Sequence, residues 1–164
     1  MEDQEFLAKL KDAVKEIDFP KIQAARKRIN DMMKEKVEDT YRNLSPDVRA
    51  AAAELSHHLG NSFVPLKTAT DLLAESKGNA AESLREFLPS VIKDLEALPQ
   101  RVRGPLHVFK EQMDSIMEED RKKTGRSFSE EDYKDIAFID DMVNKSYKVV
   151  EQLRELQKTN IVQL

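Results

Sequence analysis

Residues 41–49 read Tyr41-Arg42-Asn43-Leu44-Ser45-Pro46-Asp47-Val48-Arg49, and an apolar-polar helical pattern continues from them to Leu59. Ser45 is a good N-cap, Pro46 fits the first helical position, and Asp47 suits the positive helix end. Val48, Ala51, Ala52, Leu55 and Leu59 then recur at spacings of three and four, which places them on one helix face. Gly60 and Asn61 offer a C-terminal stop.

Toward the N-terminus, Phe6, Leu7, Leu10, Val14 and Ile17 predict an amphipathic helix over 3–17. Asp18-Phe19-Pro20 ends it, because proline disfavours helical geometry in the residue before it. A second helix follows over 21–42, with Ile22, Ala25, Ile29, Met32, Met33, Val37 and Tyr41 as its stripe. Toward the C-terminus, Phe63–Leu66 is short and interrupted by Pro65. A helix over 66–77 turns Leu66, Ala69, Leu72 and Leu73 inward and stops at Gly78-Asn79.

Residues 80–98 form the next helical pattern, with Pro89 predicting a kink or a split near Leu88. Pro99, Gly104 and Pro105 predict a further break. A helix over 106–122 carries Leu106, Phe109, Met113, Ile116 and Met117, and a polar loop over 121–126 closes it. Ser129 caps a last helix reaching about residue 158, with Tyr133, Ile136, Ile139, Met142, Val143, Tyr147, Val150 and Leu153 inward. The tail 159–164 is expected to fray. The expectation is one all-α domain over 1–164, built of about eight or nine helices, several short. The segment 1–18 is its candidate N-terminal extension.

Composition agrees with this class. The 164 residues are 40% hydrophobic and 35% charged, with four glycines and six prolines. Such a chain buries a sizeable core and lacks the period-2 runs of a sheet protein. A net charge of −4 gives no support to a nucleic-acid binder. Without cysteine there are no disulfides and no thiolate metal sites. The acidic start Met1-Glu2-Asp3-Gln4-Glu5 leads into no apolar signal segment, and no run approaches the ~20 apolar residues of a membrane span. The resulting expectation is a cytoplasmic protein.

Four segments carry a family resemblance: Asp18-Phe19-Pro20; Tyr41 to Asp47; Val91-Ile92-Lys93-Asp94-Leu95-Glu96-Ala97-Leu98 with Arg101-Val102-Arg103; and Gly125 with Phe128-Ser129-Glu130-Glu131-Asp132. In order and spacing they resemble the helix punctuation of the nematode fatty-acid- and retinol-binding proteins, small all-helical lipid carriers. The family is typically secreted, whereas this chain shows no signal peptide. It also has prolines, Pro89 and Pro105, where the family is usually helical.

The resemblance implies an internal apolar cavity that binds long-chain fatty acids, with retinol as a second ligand. Its expected lining is Leu44, Val48, Leu55, Phe63, Leu66, Leu72, Leu73, Phe87, Leu88, Val91, Ile92, Leu95, Leu106, Phe109, Met113, Met117, Ile136, Ile139, Met142 and Val143. The competing reading of this Met- and aromatic-rich set is a packed core, since Met fills irregular gaps in any core.

A buried carboxylate needs a cation or hydroxyl nearby. Lys67, Arg85, Lys93, Arg103 and Lys110 border apolar faces. Lys93 and Arg103 are the first choices because they lie in matched segments. Each could equally be a surface residue whose stem covers apolar area.

His57 and His58 point about 100° apart on a helix, and His107 is remote, so a zinc site and a nucleophile–base pair are both disfavoured. No glycine loop for phosphate and no nucleophile elbow occurs. Arg26-Lys27-Arg28, Arg101/Arg103 and Arg121-Lys122-Lys123 read as solvated faces or as sites of transient contact with anionic membranes. Ser/Thr-x-x-Asp/Glu at Thr68, Ser83, Ser115 and Ser129 suits both a helix cap and an acidophilic kinase. Thr68, Ser115 and Ser129 are the candidate phosphosites.

The reading is therefore a non-enzymatic lipid carrier or buffer with no cofactor and no metal, and the sequence does not set its oligomeric state. The main alternative is a helical protein-interaction module with a filled core. An enzyme assembled from scattered polar residues is a third and weaker alternative.

Overall fold

The computed structural model describes residues 3–32, 46–75, 80–123 and 130–162, and within them the side chains of 73–75, 80, 114–123 and 159–162 are not described. Among the described residues the chain is all-helical, with five helices and no strand. They are α1 (Asp3–Val14), α2 (Phe19–Met32), α3 (Pro46–Glu75), α4 (Ala80–Lys123) and α5 (Glu130–Val162).

The two short helices form where the sequence predicts helices, but α1 ends at Val14 rather than residue 17 and α2 starts at Phe19 rather than residue 21, while its expected end at 42 lies outside the described residues. Asp3 and Glu5 sit in the first turn of α1 and Lys11 in its last, each matching the helix dipole. Phe6, Leu10, Ala13 and Val14 form its buried stripe. The Ile17 N–H then donates to the Val14 carbonyl at 3.1 Å, and α2 begins at Phe19-Pro20. Proline is tolerated there because the first-turn N–H groups have no partner within the helix.

The long helices correct the prediction of about eight or nine pieces. α3 passes through Gly60 and Pro65 without ending. α4 passes through Pro89, Pro99, Gly104 and Pro105. An interior proline costs about 3 kcal/mol relative to alanine. Each fully buried large apolar side chain contributes about 1.5–3 kcal/mol. Along α4 the residues Leu84, Leu88, Val91, Ile92, Leu95, Leu98, Val102, Leu106, Phe109 and Met113 are all buried. They recur every three or four residues straight across the prolines, so burial outweighs the breaks.

The helices fall into two compact units. Unit I comprises Met1–Phe19, Gly60–Pro99 and Met142–Leu164. Phe6, Leu10, Phe63, Leu66, Leu84, Leu95, Leu98 and Leu153 are among its buried side chains. Ser62 Oγ donates to the Asp94 carbonyl at 2.9 Å, joining α3 to α4. Arg85 of α4 holds Asp3 of α1 at 2.7 Å and lies over the Phe6 ring at 4.7 Å. Arg154 of α5 pairs with Glu96 of α4.

Unit II comprises Pro20–Leu59 and Gln100–Asp141. Ile22, Ala25, Ile29, Met32, Val48, Leu55, Leu59, Phe109 and Ile139 are buried in it. Arg26 Nε of α2 donates to the Ser56 carbonyl of α3 at 2.9 Å. Tyr133 OH of α5 donates to the Met113 carbonyl of α4 at 2.9 Å. Three of the four positions where the chain changes unit carry predicted breaks: Phe19-Pro20, Gly60 and Pro99.

Candidate functional site

The expected cavity lining is divided between the two units. Val48, Leu55, Leu106, Phe109, Met113, Ile136 and Ile139 lie in unit II. Phe63, Leu66, Leu88, Val91, Ile92, Leu95, Met142 and Val143 are buried in unit I, with Leu72 and Phe87 half-buried there. Leu44 and the side chains of Leu73 and Met117 lie outside the described residues.

The cation candidates separate in the same way. Lys93 and Arg103 are both exposed on α4, but in different units. Lys67 pairs with Asp71 at 3.1 Å, and Lys110 with Asp140 at 3.2 Å. Arg85 is engaged with Asp3 and Phe6. Of the first basic cluster, Arg26 and Arg28 serve unit II internally. Arg28 grips Asp135 with two bonds, Nε–Oδ2 at 2.5 Å and Nη2–Oδ1 at 2.7 Å. It also reaches Glu131 at 3.4 Å.

The His57 and His58 rings are 5.4 Å apart and steeply inclined. The Nδ1 of His58 is buried and has no hydrogen-bond partner among the described residues. Burial, then the neighbouring His57 and Arg101, hold the His58 pKa below its ordinary 6.5, with Glu54 opposing. His107 Nε2 sits 3.1 Å from Glu111 Oε1. Among the described residues no group of three or more His, Asp or Glu side chains is placed to hold a metal ion. No described helix is long and apolar enough to cross a membrane.

Thr68 is exposed, and its hydroxyl donates to the Val64 carbonyl at 3.0 Å. That bond within the helix is a common use of threonine in an interior turn. The side chain of Ser115, in α4, is not described, and Ser129 lies outside the described residues.

A concave site does form in unit II, on residues the sequence did not single out. A groove of about 370 Å³, open to solvent, runs between α3 and α4. Asp47, Ala50, Ala51 and Glu54 form one wall, and Gly104, Pro105, Val108, Glu111 and Gln112 the other. Each wall is one helix face, spaced at three, four and seven or eight residues. The groove exists because the facing side chains are small. Gly104 has no neighbouring atom within 4 Å of where a Cβ would stand.

Glycine also suits that position because Pro105 follows, and the proline ring crowds the Cβ of the residue before it. Ala51 and Pro105 are buried and Val108 half-buried, giving an apolar floor, while Asp47, Glu54 and Glu111 are exposed carboxylates around it. The sequence signal was available as two helix faces that each pair small residues with acids. It was read as ordinary helix start and helix break.

No family model, curated protein or solved structure matches this chain.

Proposed function

We propose that the chain is a non-enzymatic helical protein-interaction module, with a packed core in each unit and a recognition groove on unit II. The observation that carries this reading is the division of the apolar residues between two cores, beside an open groove with an apolar floor and three carboxylates. An open groove suits a partner that brings its own apolar surface.

Affinity capture from lysate tests this, with the parent chain compared against Glu54→Lys. Partners retained by the parent and lost by the variant are expected. An identical captured set would remove the groove from the reading.

The second reading is the lipid carrier. The four segments that resemble the fatty-acid- and retinol-binding family favour it, as do the buried methionines Met32, Met113 and Met142, which suit an adaptable apolar wall. Native mass spectrometry followed by titration with a fluorescent fatty acid separates the two. Saturable uptake displaced by oleate would establish the carrier, and its absence is expected for the interaction module.

A further inference from the structure

We propose that the groove between α3 and α4 is the docking site of a cationic amphipathic helix from a partner protein, an inference that rests on the interaction-module reading above. Among its nine lining residues are three carboxylates and no cation. Asp47 and Glu54 stand two helical turns apart on one wall, about 10 Å along the axis. Glu111 stands on the other wall, where it also meets His107 of its own helix. Lys or Arg side chains seven residues apart on a docked helix match the Asp47–Glu54 spacing.

The floor selects an apolar ridge between those cations. Ala51, Pro105 and Val108 present carbon, and the open space above Gly104 lets a partner side chain come close to the α4 backbone. A small free cation is the poorer occupant. All three carboxylates face water, where single ion pairs are weak and screened by salt. A helix covers the floor while it pairs the rims, so apolar burial and charge act together. The groove lies at the low end of the roughly 300–1,000 Å³ of typical ligand sites and is open to solvent, which suits one row of side chains better than an engulfed ligand.

The test is selection from a displayed library of random peptides of about 14 residues, some four helical turns, against the full chain. Fluorescence anisotropy of the selected peptides then compares the parent with Glu54→Lys/Glu111→Lys and with Ala50→Trp. All three sites are exposed, and circular dichroism checks that the variants fold. The expected peptides pair Leu or Ile with Lys or Arg at helical spacing, lose affinity about tenfold or more in both variants, and weaken with added salt.

Selected peptides without Lys or Arg, or with affinities unchanged in both variants, would overturn the inference and leave the interaction module standing on another surface. A dimer in sedimentation that dissociates with Glu54→Lys would give the groove to a second copy of the chain. No selected peptide together with saturable fatty-acid uptake would overturn both proposals in favour of the carrier.

Discussion

Burying a carboxylate is costly unless a cation meets it with good geometry, and Arg28 meets Asp135 through a two-bond fork. The Asp135 side chain is 5% exposed and that of Arg28 33%, so removing the arginine harms more than removing a surface partner. Arg28→Ala is expected to cost about 3 kcal/mol in urea denaturation, the low end for a broken buried pair. The double change Arg28→Met/Asp135→Leu should recover most of that loss, because it leaves no unpaired charge. Recovery of none would mean that the fork has a role beyond neutralising the acid.

The sequence carried part of this. Glu130-Glu131-Asp132 reads as an acidic helix entry, which is what the first turn of α5 needs. The burial of Asp135 was invisible because its partner Arg28 lies more than a hundred residues away, in a cluster that looked solvated. His58 makes a second prediction at this scale. Its folded pKa is depressed, so the unfolded chain takes up the proton more readily. Its contribution is present above the ordinary value of 6.5 and lost as pH falls through the lower folded value. His58→Gln should therefore lose less melting temperature between pH 7 and pH 5 than the parent, and equal losses would assign the acid sensitivity elsewhere.

Among elements, α4 shows where reading by punctuation fails. Proline and glycine are strong local signals: Pro89 predicts a kink or a split, and Pro99 with Gly104-Pro105 predicts a break. The apolar stripe told the opposite story, since Leu84 through Met113 keep phase across all three sites. A break shifts that phase, and no shift occurs. The same holds in α3, where Leu55, Leu59, Phe63 and Leu66 continue across Gly60 and Pro65. Between α1 and α2 the local signal won: Asp18-Phe19-Pro20 follows directly on Ile17, the last residue of the α1 stripe. Pro89 is exposed in the interior of α4, so its ring brings strain without burial in return. Pro89→Ala restores a backbone donor there and should stabilise the chain by about 1–3 kcal/mol, measured as a raised urea midpoint with an unchanged slope. A lower midpoint would show that the proline sets a curvature the packing depends on.

At the scale of the whole molecule, the all-helical class was legible because amphipathic periodicity is a property of neighbours in sequence. The division into two cores was not, because it depends on which helix halves meet. The groove was hidden for the same reason: its walls are separated by some fifty residues, and only their approach makes a concavity. Whether the cores are filled decides between the interaction module and the carrier, and truncation at the core centre measures it. Leu55 in unit II and Leu95 in unit I are both wholly buried. In a packed interior, Leu→Ala loses transfer energy and leaves a cavity, for about 2–5 kcal/mol. Where the wall already borders an empty space, the side chain has fewer partners and the added void is less costly. Leu55→Ala and Leu95→Ala in lipid-free protein should each fall in the 2–5 kcal/mol range. A cost below about 1 kcal/mol at either position would mark a void beside it, and bound fatty acid should then protect that unit against urea in proportion to its concentration.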